Sequence, residues 1–454
     1  MGPPLSIYSA AGWHTLAAFG LLGLLNNAGY VIMIAGANEI SQSSVGLVYF
    51  CAIFPTLLVK LTGPYWFHYV PYGTRMWCIA VLMSAAYTTV AFGRTRGWQL
   101  LGVVFSAVQG GLGEASCLAM CTYFDSRSAI TFWASGTGFA GVAGYTWVAV
   151  MHVLLGFSFK TTLNIANLTS IAWLLCYYFL LSPPRALRRS DSGAEDIRAD
   201  SSAWLEPEAP GDKAAEEGSS QRSMEVDASV EASSSGEHLK LLEPKQFSSG
   251  PASPSKHCQV PLVPLAKTYR MQWRERFQRT LQLWPYMVPL ALVYFAEYVL
   301  QSGAWTAIGF PVESADARHT FYTFANWVYQ IGVFLSRSSG LLYQANRTAL
   351  YVMPVLQVGL LAIFLAVAVL HVMYSWWLLL LCLCTGLLGG AVYVNAFTLL
   401  AKEVEPSLRE FSMSTASVAD SVGIALADIF GVFVQGCLFR ANNIPGADFR
   451  CGGS

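Results

Sequence analysis

Apolar residues along this chain come in unbroken runs, not in the alternation of a strand or the single stripe of a surface helix. Each run approaches or exceeds the roughly 20 residues that an α-helix needs to cross hydrocarbon. Six lie before residue 183, at 13–36, 45–69, 76–92, 98–123, 130–155 and 162–181. Five follow, at 281–308, 321–342, 349–372, 376–400 and 411–438. The pattern predicts an all-α, polytopic membrane protein of about eleven transmembrane helices. The first run is longer than the roughly 7–15-residue core of a signal peptide and lacks its positive flank, so it reads as the first span.

Between the two blocks the pattern lapses. Residues 183–268 are rich in Ser, Glu, Ala, Gly and Pro, a composition that cannot offset its own ordering entropy and reads as a disordered linker. The chain therefore divides into a six-helix membrane half (1–182), the linker (183–268), a second half of about five helices (269–440) and a tail (441–454). Arg185, Arg188 and Arg189 lie at one edge of the linker; Lys267, Arg270, Arg274, Arg276 and Arg279 lie at the other. The positive-inside rule puts such edges in the cytoplasm, with the N-terminus, and leaves the C-terminus in the lumen. Residues 269–283 read as a basic amphipathic helix on the membrane surface.

Composition agrees with this picture and narrows it. The chain is 54% hydrophobic and 12% charged, against roughly 25% charged in a soluble domain. Its net charge is zero, which gives no reason to expect a nucleic-acid partner. The cysteines lie mostly inside apolar runs with no CxxC or CxxH spacing. They read as packing residues, with neither a disulfide framework nor a metal site expected. No hydrolase triad, phosphate loop or cofactor motif is present, so nothing indicates an enzyme or a bound cofactor.

The two blocks echo each other faintly. The fifth run reads WASGTGFAGVA from Trp133, and the eleventh reads TASVADSVGIA from Thr415, with Ala-Ser, Gly and Ala recurring in register. The runs before them share glycine clusters, Gly110-Gly111-Leu112-Gly113 and Gly386-Leu387-Leu388-Gly389-Gly390. Small residues are common wherever membrane helices touch. Their recurrence at corresponding positions predicts two pseudo-repeated bundles of the major-facilitator type, rocking around a central site.

Polar groups at membrane depth are costly and usually functional. Glu297 stands in LVYFAEYVLQSG (292–303), with Tyr294 and Gln301 on its helical face. Arg337 stands in FANWVYQIGVFLSRSSG (324–340), where Asn326 and Gln330 share its face. Its planar, permanently charged fork suits a carboxylate or phosphate. Three readings stay open for it: substrate binding, an ion pair to Glu297 or Asp420, or snorkelling to water. Glu114 and Asp420 are further candidates for protonatable coupling residues, and Asp428 a weaker one. Lys60 reads as a snorkelling side chain in a run interrupted by Pro64. Tyr393 and Asn395 add hydrogen-bonding groups. In the linker, Glu237 precedes Leu241-Leu242 in the acidic dileucine form that cytoplasmic sorting adaptors read.

These stretches resemble the battenin family of lysosomal and vacuolar membrane proteins. The likeness is carried by LLGLLNNAGYVIM (21–33), FPTLLVKL (54–61), GLGEASCL (111–118), WASGTGFAGVAG (133–144), VYFAEYVLQSG (293–303), YQIGVFLSRSS (329–339), GLLGGAVYVNAF (386–397) and REFSMSTASVADSVGIAL (409–426). The resemblance implies a major-facilitator-like fold, roles in lumenal pH and the export of small solutes. Glycerophosphodiesters are the leading substrate class it implies, and basic amino acids the other. A membrane organiser that recruits trafficking partners without transporting is the competing class. Two features depart from the family: the N-terminus lacks the acidic tail of animal members, and the connection after the first span is very short. On the transporter reading Arg337 binds an anion with Tyr294, Gln330 and Asn395, and Glu297, Glu114 or Asp420 carries the coupled proton.

Overall fold

The computed structural model describes residues 12–35, 45–181, 271–445 and 451. The linker and its dileucine residues Glu237, Leu241 and Leu242 lie outside them. The first half contains α1 (Trp13–Ala35), α2 (Val45–Trp66), α3 (Tyr72–Phe92), α4 (Arg96–Met120), α5 (Ser126–Val148), α6 (Phe159–Ala166) and α7 (Leu168–Leu175). The second contains α8 (Trp273–Gln282), α9 (Trp284–Ser302), α10 (Ala315–Ser338), α11 (Arg347–Leu370), α12 (Leu378–Glu403), α13 (Arg409–Ala416) and α14 (Val418–Ala441). Among the described residues there is no β-strand, and nine helical segments are long and apolar enough to cross a membrane. Helices α5 and α10, of 23 and 24 residues, are as long but richer in small and polar side chains. With these two, the helices account for all eleven apolar runs.

Local chemistry sets the boundaries. Ser158, Ser314 and Asn346 each accept a hydrogen bond from a backbone N–H three residues on, capping α6, α10 and α11. Pro285 occupies the first turn of α9, where a missing N–H is tolerated. Two runs are less regular than their hydropathy suggests. The sixth is broken into α6, α7 and a π-type turn at Cys176–Leu180. The eleventh is interrupted at Ser417, whose hydroxyl donates to the Ser414 carbonyl.

Packing repeats between the halves. Helix α1 packs on α5, α3 on α4, and α2 on α4; in the same way α9 packs on α14, α11 on α12, and α10 on α12. Across the interface α2 meets α14 and α5 meets α10, a reciprocal pair of contacts. Glycines permit the closest of these. A Cβ on Gly136 would sit 1.9 Å from the Gly20 carbonyl of α1, and one on Gly423 would sit 2.4 Å from the Ala291 carbonyl of α9. Backbone-to-backbone approach of this kind is what small residues buy in a membrane.

At the end of the bundle where α8 lies, the halves are joined by polar contacts. Glu410 of α13 accepts from Tyr72 (2.7 Å) and Tyr123 (2.6 Å). Arg127 donates to the carbonyls of Gly340 and Leu341. The basic segment after the linker does form a helix, α8. Its Arg276, however, turns inward, donating to the Pro64 carbonyl at 2.7 Å. One cysteine departs from expectation: Cys437 is not a packing residue but forms a disulfide with Cys451, which the end of α14 brings back into reach.

Candidate functional site

Between the halves lies a cavity with about 900 Å³ of empty space, lined in part by Asn27, Lys60, Glu114, Arg337, Tyr393 and Asp420. Helix α10 brings Arg337 into it from the second half. Its side chain is only 9% exposed, which excludes snorkelling. Nη1 donates to Thr137 Oγ1 at 2.6 Å, and Nη2 donates to the Tyr294 hydroxyl at 2.5 Å. The guanidinium lies 4.2 Å from the centre of the Tyr393 ring, a cation–π contact. Its Nε is buried without an acceptor. Among the described residues no carboxylate pairs with it. Of the three readings, the ion pair to Glu297 or Asp420 is therefore absent as well, and a buried charge faces the cavity with donor capacity to spare.

The carboxylates have a different cation. Lys60, expected to snorkel, is 1% exposed and sits between two of them. Its Nζ lies 2.6 Å from Glu114 Oε2 and 2.9 Å from Asp420 Oδ1. Helix α4 of the first half supplies Glu114 and helix α14 of the second supplies Asp420, so the lysine bridges the halves. The other oxygen of Glu114 accepts from the Tyr393 hydroxyl at 2.7 Å, and that hydroxyl also accepts from Trp133 Nε1. A continuous path thus runs from Arg337 over Tyr393 to Glu114, Lys60 and Asp420. Asp420 is further held by the backbone N–H and hydroxyl of Ser421. Charges buried this deeply persist only when so surrounded.

Two predicted site residues are placed elsewhere. Glu297 is 1% exposed but does not line the cavity. It accepts from Tyr329 at 3.0 Å, and its other oxygen, unpartnered, packs where a Cβ on Gly389 would stand 1.9 Å away. Asn395 also stays outside the lining. Its Oδ1 accepts from the Ala345 N–H (2.7 Å) and its amide donates to the Ala391 carbonyl, pinning the connection before α11. Tyr294 and Gln330 do reach the cavity. Gln330 fits because α5 presents Gly141, where a Cβ would meet its Oε1 at 2.0 Å. Lys60 is the residue that sequence reasoning missed. The available signal was charge balance, since acids in several spans need a cation and only Lys60 and Arg337 lie deep enough to serve.

A second cavity, with about 1110 Å³ of empty space, lies toward the Ser302 end of α9 and shares Tyr30, Tyr298 and Gln330 with the first.

Residues 17–441 match the family model described as CLN3 protein. Protein btn-1 of Neurospora crassa is 33% identical over 443 residues, covering 95% of this chain and 89% of that one. Battenin of Canis lupus familiaris is 29% identical over 462 residues, covering 95% and 92%. Among solved structures, the major facilitator superfamily proton:xylose symporter XylE, bound to 6-bromo-6-deoxy-D-glucose, aligns with a TM-score of 0.52 at 11% identity. The alignment covers 95% of this chain and 90% of that one. At that identity the likeness speaks to fold alone, and the fold is that of a major facilitator.

Proposed function

This chain belongs to the CLN3 protein family, and on that premise we propose that it exports small anionic solutes, glycerophosphodiesters foremost, across a lysosomal or vacuolar membrane with proton coupling. The observation that carries the reading is Arg337, a buried guanidinium lining the cavity with no carboxylate partner among the described residues. An anion entering there would exchange the hydroxyls of Thr137 and Tyr294 for the charge-assisted, forked contact that guanidinium makes with phosphate. Gln330, two turns earlier on α10, supplies a further hydrogen-bonding group to the same cavity.

Coupling falls to the lysine bridge. Protonating Asp420 would weaken its bond to Lys60, the contact that ties α2 to α14, and so ease the rocking of one half against the other. Glu114 stays within the lysine's own half, so its protonation would not release that tie. Glu297 is set back from the cavity, which favours an anion site at Arg337 over a cation site at Glu297. Adaptor binding at Glu237, Leu241 and Leu242 would deliver the protein to its membrane, a separate role that transport itself does not need.

The test is efflux of glycerophosphoglycerol from proteoliposomes over a range of internal pH. Wild type should respond to an acid interior, Asp420→Asn should transport with a flattened pH response, and Glu297→Gln should retain it. Flux that responds to pH equally in wild type and Asp420→Asn would remove the bridge from the mechanism. Deleting residues 190–255 should leave flux in vesicles intact, whereas a non-transporting organiser would show no flux in either form.

A further inference from the structure

The two cavities differ in chemistry. The inner one presents an unpaired cation, Arg337. The outer one presents an anion, Asp428 of α14, which forms no hydrogen bond or ion pair among the described residues. Around Asp428 stand Tyr145, Tyr298 and Tyr322, together with Gln301 and Asn326. The amide nitrogens of those last two donate to backbone carbonyls, Gln301 to Glu297 and Asn326 to Tyr322. Their side-chain oxygens are left to accept. Among the described residues no lysine or arginine lines this cavity. A carboxylate, amide oxygens and aromatic faces are an environment for an organic cation, as in the aromatic cages that hold quaternary ammonium groups.

The wall between the cavities is thin and polar. Tyr30 of α1 and Tyr298 of α9 line both and are joined by a side-chain hydrogen bond. Tyr294, which holds Arg337, and Gln301, in the outer cavity, are seven residues apart on α9. At 1.5 Å per residue their levels differ by roughly 10 Å along the helix. Charge contacts at either end take up about 3–4 Å each. One small solute with an anionic and a cationic group can then touch both sites once the Tyr30–Tyr298 pair parts.

Resting on the anion site proposed above, we infer that Asp428 is a specificity residue: it holds the alkylammonium end of a zwitterionic phosphodiester while Arg337 holds the phosphate. The outer cavity is the subsite for that head group, with Tyr145, Tyr298 and Tyr322 as its walls. The ammonium enters this subsite from the Ser302 end of α9, and the phosphate moves inward past Tyr30 and Tyr298. Phosphodiesters that carry only hydroxyl head groups gain no ion pair from Asp428 and depend on Arg337 for their charge contact.

The experiment compares two probes in proteoliposomes, glycerophosphocholine, which carries an ammonium, and glycerophosphoglycerol, which does not. Asp428→Asn should raise the half-saturating concentration for glycerophosphocholine by about tenfold, the equivalent of about 1.4 kcal/mol. It should leave glycerophosphoglycerol unchanged, which also shows that the variant folds. Asp428→Glu should keep the preference, whereas Arg337→Ala should lose both solutes. An equal effect of Asp428→Asn on the two probes, or no effect on either, overturns the inference and leaves the anion site standing. Failure of the wild type to move either probe overturns both.

Discussion

At the scale of single residues, the central fact is how the buried charges are partitioned. Lys60 takes two carboxylates, Glu114 and Asp420, and among the described residues Arg337 takes none. Removing Lys60 leaves two carboxylates buried without a counter-charge, and breaking a buried pair in this way costs about 3–5 kcal/mol. Lys60→Met should therefore lower thermal stability in detergent markedly. Lys60→Met combined with Asp420→Asn should recover part of the loss, because neighbours in one network couple by about 0.5–3 kcal/mol. Strict additivity of the two substitutions would show that the bridge is not energetically real. Each of these charges was visible in the sequence as an anomaly in an apolar run. Their pairing was not, because Lys60 and Asp420 are separated by 360 positions and only packing brings them together. For Glu297 too the helical face was legible, but not the Gly389 surface against which it is buried.

At the scale of helices, close approach and end contacts govern what can move. The small residues of α5 were legible as half of an echo and the glycines of α12 as a cluster, and two of these glycines have a defined packing role. Gly141 makes room for Gln330 across the interface, and Gly390 makes room for Ser336 within the second half. Gly141→Val would drive a side chain into Gln330, so transport should fall strongly while the protein still reaches the membrane. Wild-type flux in that variant would show that α5 and α10 are not held as closely as described. At the end where α8 lies, Glu410 is bonded by Tyr72 and Tyr123. Glu410→Ala should free that end, so that a cysteine placed at Ser407 reacts faster with a polar thiol reagent added from that side. An unchanged labelling rate would mean that Glu410 does not hold the halves together. Hydropathy located α9 and α14 well but smoothed over their irregularities. The break at Ser417 comes from a side chain competing for a backbone carbonyl, an event that a 20-residue average does not register.

At the scale of the whole molecule, the count of spans and the pseudo-repeat were legible because bilayer thickness fixes helix length and small residues mark contacts. The disulfide between Cys437 and Cys451 was not, since spacing alone does not show that Cys451 lies against the end of α14. Disulfides persist in oxidising compartments, which agrees with the proposal of a lumenal C-terminus. Two labels test that orientation together. Asn346 should carry no glycan, and thiol labelling at Cys451 should require prior reduction; a glycan on Asn346 would invert the topology. The central claim, that an anion binds Arg337 between the halves, is tested most directly by ligand-induced stabilisation of the purified protein. A ligand at 100 times its dissociation constant stabilises the folded state by about 2.7 kcal/mol. Saturating glycerophosphoglycerol should raise the melting temperature of wild type and leave that of Arg337→Ala unmoved. An equal rise in both would contradict the account.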